Sequence, residues 1–335
     1  MKQNLNLCIL SGALLSVVGT ASAAGIYDNN ISAININMLT DTFMSYTDYG
    51  TNMSDLFVQR RLYGTMDRFD EYGDDGSTLK IKDSKDSTNR SLLKNIWINA
   101  NHIDGDLHYG DSISERGRFN LATIGATSRA SELQHGKISF GGFLSYINTK
   151  LPEYHGNGDV FGFFADYKYR KFNAKFLGTI GSLNNNANGV NFNNSWVGVA
   201  TDFAGTFRID DTLYIRPNIY GGYTFVASDD LYLNNQVVSS SDYHFFNVAP
   251  GVAFIKEISP NWYGKLSAKY IAHFGGKNDI DVAGTKTDGL KLDNHTDIGI
   301  DIEYNFRQFV FGANIHKQIG GVDGLSGNLN IKYIF

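Results

Sequence analysis

Cysteine is nearly absent: Cys8 is the only one, so no disulfide within the chain can staple the fold. Proline is scarce as well, with four residues in 335, which permits long elements with few breaks. After residue 18 no stretch approaches the roughly 18 consecutive apolar residues of a membrane-crossing helix. Charge of one sign is also missing. The net charge of −5 is mild, which argues against a nucleic-acid binder. The chain is instead rich in aromatic residues (13%, with 23 Phe and 19 Tyr) and in glycine (36). Many Phe, Tyr and Gly with little Pro favour strands over helices.

The first residues read as a targeting segment. Lys2 supplies positive charge, residues 7–18 (LCILSGALLSVV) form an apolar run too short to span a bilayer, and Ala21-Ser22-Ala23 fits an A-x-A cleavage site. The expectation is a signal peptide over 1–23, cleaved after Ala23. Leu7 precedes Cys8 and the apolar run continues beyond it, which does not fit a lipidated cysteine.

The rest of the chain alternates. In 160–170 (VFGFFADYKYR), Phe161, Phe163, Ala165, Tyr167 and Tyr169 fall on one face and Gly162, Phe164, Asp166, Lys168 and Arg170 on the other. In 295–306 (HTDIGIDIEYNF), Ile298, Ile300, Ile302, Tyr304 and Phe306 oppose Asp297, Gly299, Asp301 and Glu303. Twelve such segments are predicted, at 94–106, 119–128, 137–149, 159–170, 172–182, 195–208, 212–226, 243–256, 262–274, 295–306, 308–317 and 325–335. A soluble sandwich alternates too, but its strands are nearer five or six residues. A membrane-crossing strand tilted about 40° needs about 10. The connections also sort by parity. Those at 107–118, 150–158, 183–194, 227–242, 275–294 and 318–324 are long; those at 170–171, 209–211, 257–261 and 306–307 are short, with 129–136 the exception. Short turns at one end and long loops at the other are the outer-membrane pattern. The predicted fold is all-β: a 12-stranded antiparallel transmembrane barrel over 94–335, about 24 Å across the backbone.

The last residues follow the same rule. Leu329, Ile331, Tyr333 and Phe335 share a face, and the final strand must pair with the first, because no backbone edge can stay unpaired in hydrocarbon. A terminal Phe after such alternation resembles the signal read by outer-membrane assembly machinery.

The order of several segments resembles the β-domain of autotransporters, the type V secretion family. These are NIWINANHIDGD (95–106), GDVFGFFADYKYRKFNAKFLGTIGSLNNN (158–186), LYIRPNIYGGYTF (213–225), NVAPGVAF (247–254), NWYGKLSAKYIAHFGG (261–276) and the terminal Phe335. The resemblance implies a barrel that carries or anchors a passenger, with outer-membrane lipids, the barrel assembly machinery and periplasmic chaperones as partners, no cofactor, and a monomeric state. The departure lies upstream. Residues 24–93 are too few for a usual passenger; they offer an expected helix at about 53–70 and a polar linker at 72–93. FVQRRL (57–62) resembles the family's helix ahead of the barrel, and Arg60 and Arg61 would face the lumen if this helix were a plug about 27 Å long.

The charges predicted to face the lumen are Asp166, Lys168, Lys265, Lys269, Asp297, Asp301 and Glu303. Lys265 and Lys269 on the ninth strand are placed to neighbour the acidic residues of the tenth. An Arg at Gly299, on the same face, is expected to reach water. No catalytic constellation stands out: no His has Ser at the second following position, and the His295–Asp297 pair lacks a nucleophile. Residues 278–289 lack the terminal Glu of a calcium loop. The chain is therefore not expected to be an enzyme or to hold a metal. Three functions remain open: a translocator or membrane anchor for a short or separate passenger, a small porin-like channel, and a surface adhesin or antigen acting through its long loops.

Overall fold

The computed structural model describes residues 32–33, 36–40, 42–46, 48, 53 and 56–57, and then 92–335 apart from 110–112, 153, 188–189, 229–230, 234–235, 241, 276–279, 283–284 and 288–291. Twelve long strands form one antiparallel sheet: β1 (Leu93–Tyr109), β2 (Ile113–Ser128), β3 (Gly136–Lys150), β4 (Tyr154–Tyr169), β5 (Phe172–Ala187), β6 (Val190–Gly205), β7 (Leu213–Ser228), β8 (Tyr243–Ser259), β9 (Trp262–Gly275), β10 (His295–Phe306), β11 (Phe309–Gly320) and β12 (Val322–Ile334). Each pairs with the next, and β12 pairs with β1 from Ile334 opposite Asn95 to Val322 opposite Leu107. The sheet is a closed barrel with no free long edge.

The two ends differ. At the turn end, β4–β5, β8–β9 and β10–β11 are joined by two-residue connections, with Tyr169 opposite Phe172, Ser259 opposite Trp262 and Phe306 opposite Phe309. Arg170 and Arg307 each take the first place of their turn with φ of 52° and 55°, and Asn261 follows Pro260 with φ of 78°. The connection at 129–136, out of step by length, is a hairpin extension: Ser131–Leu133 pairs with the start of β3, and Glu132 lies 3.2 Å from Lys137. In the turn at 209–212 the Thr212 amide donates to Asp210 Oδ1 at 2.6 Å, which holds that carboxyl below the ordinary carboxylate range.

The opposite end, the ribbon end, corrects the expectation of long loops at 107–118, 150–158, 183–194 and 318–324. Strands run on through most of these residues, so the connection from β5 to β6 shrinks to 188–189. The reason is physical: once neighbouring strands satisfy each other's ladder bonds, pairing continues into water without an apolar face. The two longest connections build a separate four-stranded sheet, ordered Leu231–Leu233, Gln236–Ser240, Ile280–Val282 and Thr285–Thr287.

Alternation fixes the two faces. Ile98, Ile124, Leu144, Phe161, Phe163, Ile180, Ile298 and Ile300 stand on the exposed outer face, whereas Trp97, Phe143, Phe164, Lys175, Asp297 and Glu303 are buried inside. Aromatic rings gather on the outer face at the turn end. Trp262 stacks on Tyr304 at 4.6 Å between centroids, and Tyr304, Phe306, Phe309, Phe311, Tyr333 and Phe335 continue the row. Such a belt marks the water–lipid boundary. Inside, large rings lie flat over glycine: a Cβ at Gly125 would collide with Trp97, and one at Gly181 with Trp196. These glycines let the wall carry bulky rings without narrowing the lumen further.

The described helical residues between 32 and 46 form α1, which lies inside the barrel. The expected helix at 53–70 is a separate segment, further along the chain. Of that segment 53, 56 and 57 are described; Arg60 and Arg61 lie outside the described residues, as do Ala21 and Ala23.

Candidate functional site

The candidate site is the lumen and the segment threaded through it. Spacing explains why residues 32–46 form a helix that packs there. Ile36, Leu39, Phe43 and Tyr46 recur at steps of three, four and three, which puts them on one stripe, and all four are buried. The stripe meets the aromatic wall of the barrel. Phe43 is 5.6 Å from Phe143, and Tyr46 is 5.3 Å from Phe143 and 5.8 Å from Trp97, centroid to centroid. Burying four such side chains is favourable by about 1.5–3 kcal/mol each, before the cost of ordering the chain.

Polar residues of α1 meet the remaining strands with matched partners. Ser32 donates to Asn194 on β6 at 2.6 Å, and Tyr154 Oη on β4 lies 2.9 Å from Ser32 Oγ. Asn37 and Asn247 on β8 exchange two amide hydrogen bonds, at 3.2 and 3.0 Å. Thr40 and Thr224 on β7 are 2.9 Å apart. A buried amide or hydroxyl left without a partner costs about 1–3 kcal/mol, so these pairs set the rotation and depth of the helix rather than merely tolerating it.

Further along, Asp48 forms an ion pair with Lys175 on β5 and lies 3.9 Å from Arg216 on β7. The Met53 amide donates to Glu303 on β10 at 3.2 Å. Phe57 is buried between Tyr214 and Tyr263, with centroids at 5.0 and 5.3 Å. Ser32 therefore sits towards the ribbon end, and Phe57 beside the turn end. The chain runs the length of the lumen in that direction.

The lumen charges form connected pairs on the side of β9–β12. Lys265 stands opposite Asp301 in register, with Nζ and Oδ1 3.2 Å apart, and Lys269 stands opposite Asp297. His316 on β11 places Nδ1 2.7 Å from Asp297 and Nε2 3.8 Å from Asp301. Glu303 is 3.6 Å from Lys332 on β12. Across the barrel, Asp166 accepts from Asn173 and lies 3.8 Å from Lys168, which is half exposed at the turn end. Charges left unpaired here would cost several kcal/mol each. Paired in this way they line a wall and offer no nucleophile in the geometry that acyl or phosphoryl transfer requires. Among the described residues, no group of three or more His, Cys, Asp or Glu could hold a metal ion.

The sequence reading missed Ser32, Asn37, Thr40 and Asp48. The signal was present in the Ile36-Leu39-Phe43-Tyr46 stripe, but it lies in a stretch without the Arg residues that drew attention to 53–70. Leu329, Ile331 and Phe335 are exposed on the outer face of β12, and Tyr333 is half-buried and donates to Gln308 at 3.1 Å. The Phe335 amide donates to the Lys94 carbonyl at 3.0 Å and its own carbonyl accepts from Arg129 at 2.8 Å. The last residue is thus tied into the β1–β12 seam.

No family model matches the sequence, and no curated protein matches it. Solved structures do match. The β-domain of the Bordetella autotransporter BrkA superposes with a TM-score of 0.61 at 11% identity, over 73% of this chain and 100% of that one. The transport unit of the autotransporter AIDA-I from Escherichia coli gives 0.61 at 14% identity, over 75% of this chain and 93% of that one. The translocator domain of autotransporter NalP from Neisseria meningitidis gives 0.55 at 12% identity, over 74% and 90%. The chain has the fold of an outer-membrane, autotransporter-type β-barrel.

Proposed function

We propose that this protein is an outer-membrane translocator or anchor barrel whose own upstream segment occupies the pore and leads to the cell surface. The observation that carries this reading is the direction of the threaded segment, Ser32 towards the ribbon end and Phe57 at the turn end. In an outer-membrane barrel, short turns face the periplasm and longer connections face outside, so whatever precedes residue 32 is delivered outward. The passenger would be short, or a separate protein held by this segment, and a signal peptide ending at Ala23 would provide export. The solved structures above, named as a translocator domain and a transport unit, support the same role.

The test is an epitope tag at residue 30 and protease added to intact cells. Loss of the tag without damage to the barrel is the expected result. A tag that is cut only after the outer membrane is permeabilised would overturn the proposal. A porin-like channel fits less well, because α1 packs against the lumen wall where an open channel would hold water.

A further inference from the structure

We propose that the β4–β5 and β10–β11 hairpins form a binding surface for the headgroups of anionic phospholipids in the leaflet at the turn end. The two turns repeat one construction: Tyr169-Arg170-Lys171-Phe172 and Phe306-Arg307-Gln308-Phe309. In both, an outward aromatic pair flanks the turn, and the first turn residue is an arginine at positive φ, 52° and 55°. Neither Lys171 nor Gln308 has positive φ. Positive φ at the first central residue alone is the φ pattern of a type II′ turn, where glycine is preferred because a side chain crowds the backbone there. A hairpin that needed only to turn would carry glycine. Placing arginine twice at that disfavoured position therefore points to the side chain.

What the side chains do is the same in both places. The Arg170 guanidinium sits 5.3 Å from the Tyr169 ring centroid, and Arg307 sits 5.3 Å from the Phe306 centroid. Lys171 adds a cation 4.9 Å from the Phe207 ring and 5.9 Å from that of Phe172. These contacts hold the cations at the depth of the aromatic belt, the level at which headgroups lie. The rings themselves are lipid-facing: Phe172 is 53% exposed and Phe306 47%. A guanidinium is a planar fork of donors that matches two phosphate oxygens, so each arginine brings phosphate-binding chemistry to the depth of the belt. A net negative lipid adds long-range attraction that a zwitterionic lipid lacks. The surface stands apart from the pore and does not depend on any role in translocation.

The experiment uses the full-length protein in nanodiscs of phosphatidylcholine alone or with phosphatidylglycerol added, and follows thermal unfolding together with lipid retained in native mass spectrometry. The expected result is an unfolding midpoint about 2–4 °C higher in the anionic discs. Arg170→Gly with Arg307→Gly should abolish most of that difference and the retained phosphatidylglycerol, while leaving the midpoint in phosphatidylcholine equal or higher. Arg170→Lys with Arg307→Lys should keep the long-range attraction but retain less phosphatidylglycerol than arginine does, because an ammonium cannot pair two phosphate oxygens at once. If the glycine pair fails to insert, Arg170→Asn with Arg307→Asn is read instead, since asparagine tolerates positive φ. A variant without both arginines that keeps the full lipid difference would overturn the proposal. So would inorganic phosphate reproducing that difference in phosphatidylcholine discs, because the site would then take a free anion and not a lipid.

Discussion

At the scale of single residues, Ile300 and Gly299 show what alternation reveals and what it hides. Ile300 stands midway along β10 on the outer face and is 59% exposed. Ile300→Arg is expected to lower stability in lipid by about 2–4 kcal/mol, read by reversible unfolding in bilayers. Gly299 faces inward, and parity alone admits an Arg there that reaches water. The structure adds a contact that parity does not show: a Cβ at Gly299 would run into the His316 ring. Gly299→Ala should therefore push His316 away from Asp297, where Nδ1 now lies 2.7 Å from Oδ1, and cost about 0.5–2 kcal/mol in the same measurement. A cost indistinguishable from zero would show that the ring has room to move. Period-two patterning was enough to put Lys265 near Asp301, because consecutive strands in a meander are neighbours. It could not reveal which ring covers which glycine, since that depends on the exact register between neighbouring strands, which sets Gly299 opposite His316, Gly125 opposite Trp97 and Gly181 opposite Trp196.

At the scale of elements, the occupied lumen was legible as an idea but not as an address. Size alone suggested it: a twelve-stranded barrel leaves room for about one helix. The sequence reading then matched arginines of the upstream segment to acidic residues of the wall. Those arginines lie outside the described residues; where the threaded segment is described, Asp48 meets Lys175 and Arg216 on the wall. Electrostatic complementarity has no polarity of its own, so composition did not single out Asp48. Apolar spacing could have pointed to its segment, through Ile36, Leu39, Phe43 and Tyr46. Phe43→Ala removes the ring that meets Phe143 and Tyr46; for a core Phe of this kind the cost is about 3–5 kcal/mol. The expected readout in planar bilayers is more frequent opening to a higher conductance level. Deleting 32–57 should make that level permanent and several-fold larger. Unchanged conductance in both would place the resistance elsewhere than in α1.

At the scale of the whole molecule, closure was the most legible feature, because it follows from a boundary condition: hydrocarbon offers no partner to an exposed edge. The pairing of the last strand with the first came from that argument, while the lengths of the ribbon-end strands did not, since water imposes no such condition. Removal of 333–335 takes away the Phe335–Lys94 bond and the end of the ladder opposite Ile96. The truncated chain is expected to accumulate as unfolded precursor, seen as loss of the heat-modifiable form on gels. Closure has one more consequence, and it concerns the order of events. A segment threaded through a ring cannot be added after the ring is shut except by being pulled through end first. Here it touches eight successive strands, from Phe143 on β3, Tyr154 on β4, Lys175 on β5 and Asn194 on β6 to Thr224 on β7, Asn247 on β8, Tyr263 on β9 and Glu303 on β10, and Trp97 on β1 besides. The expected order is that the open sheet curls around α1 as around a mandrel, with the β1–β12 seam formed last, rather than that the thread is pulled end first through a finished ring. The same topology runs backwards. Backbone amides of 36–46 should exchange with solvent no faster than those of the seam if the ring opens before the thread leaves; faster exchange at 36–46 would show that the thread slips out end first from a shut ring.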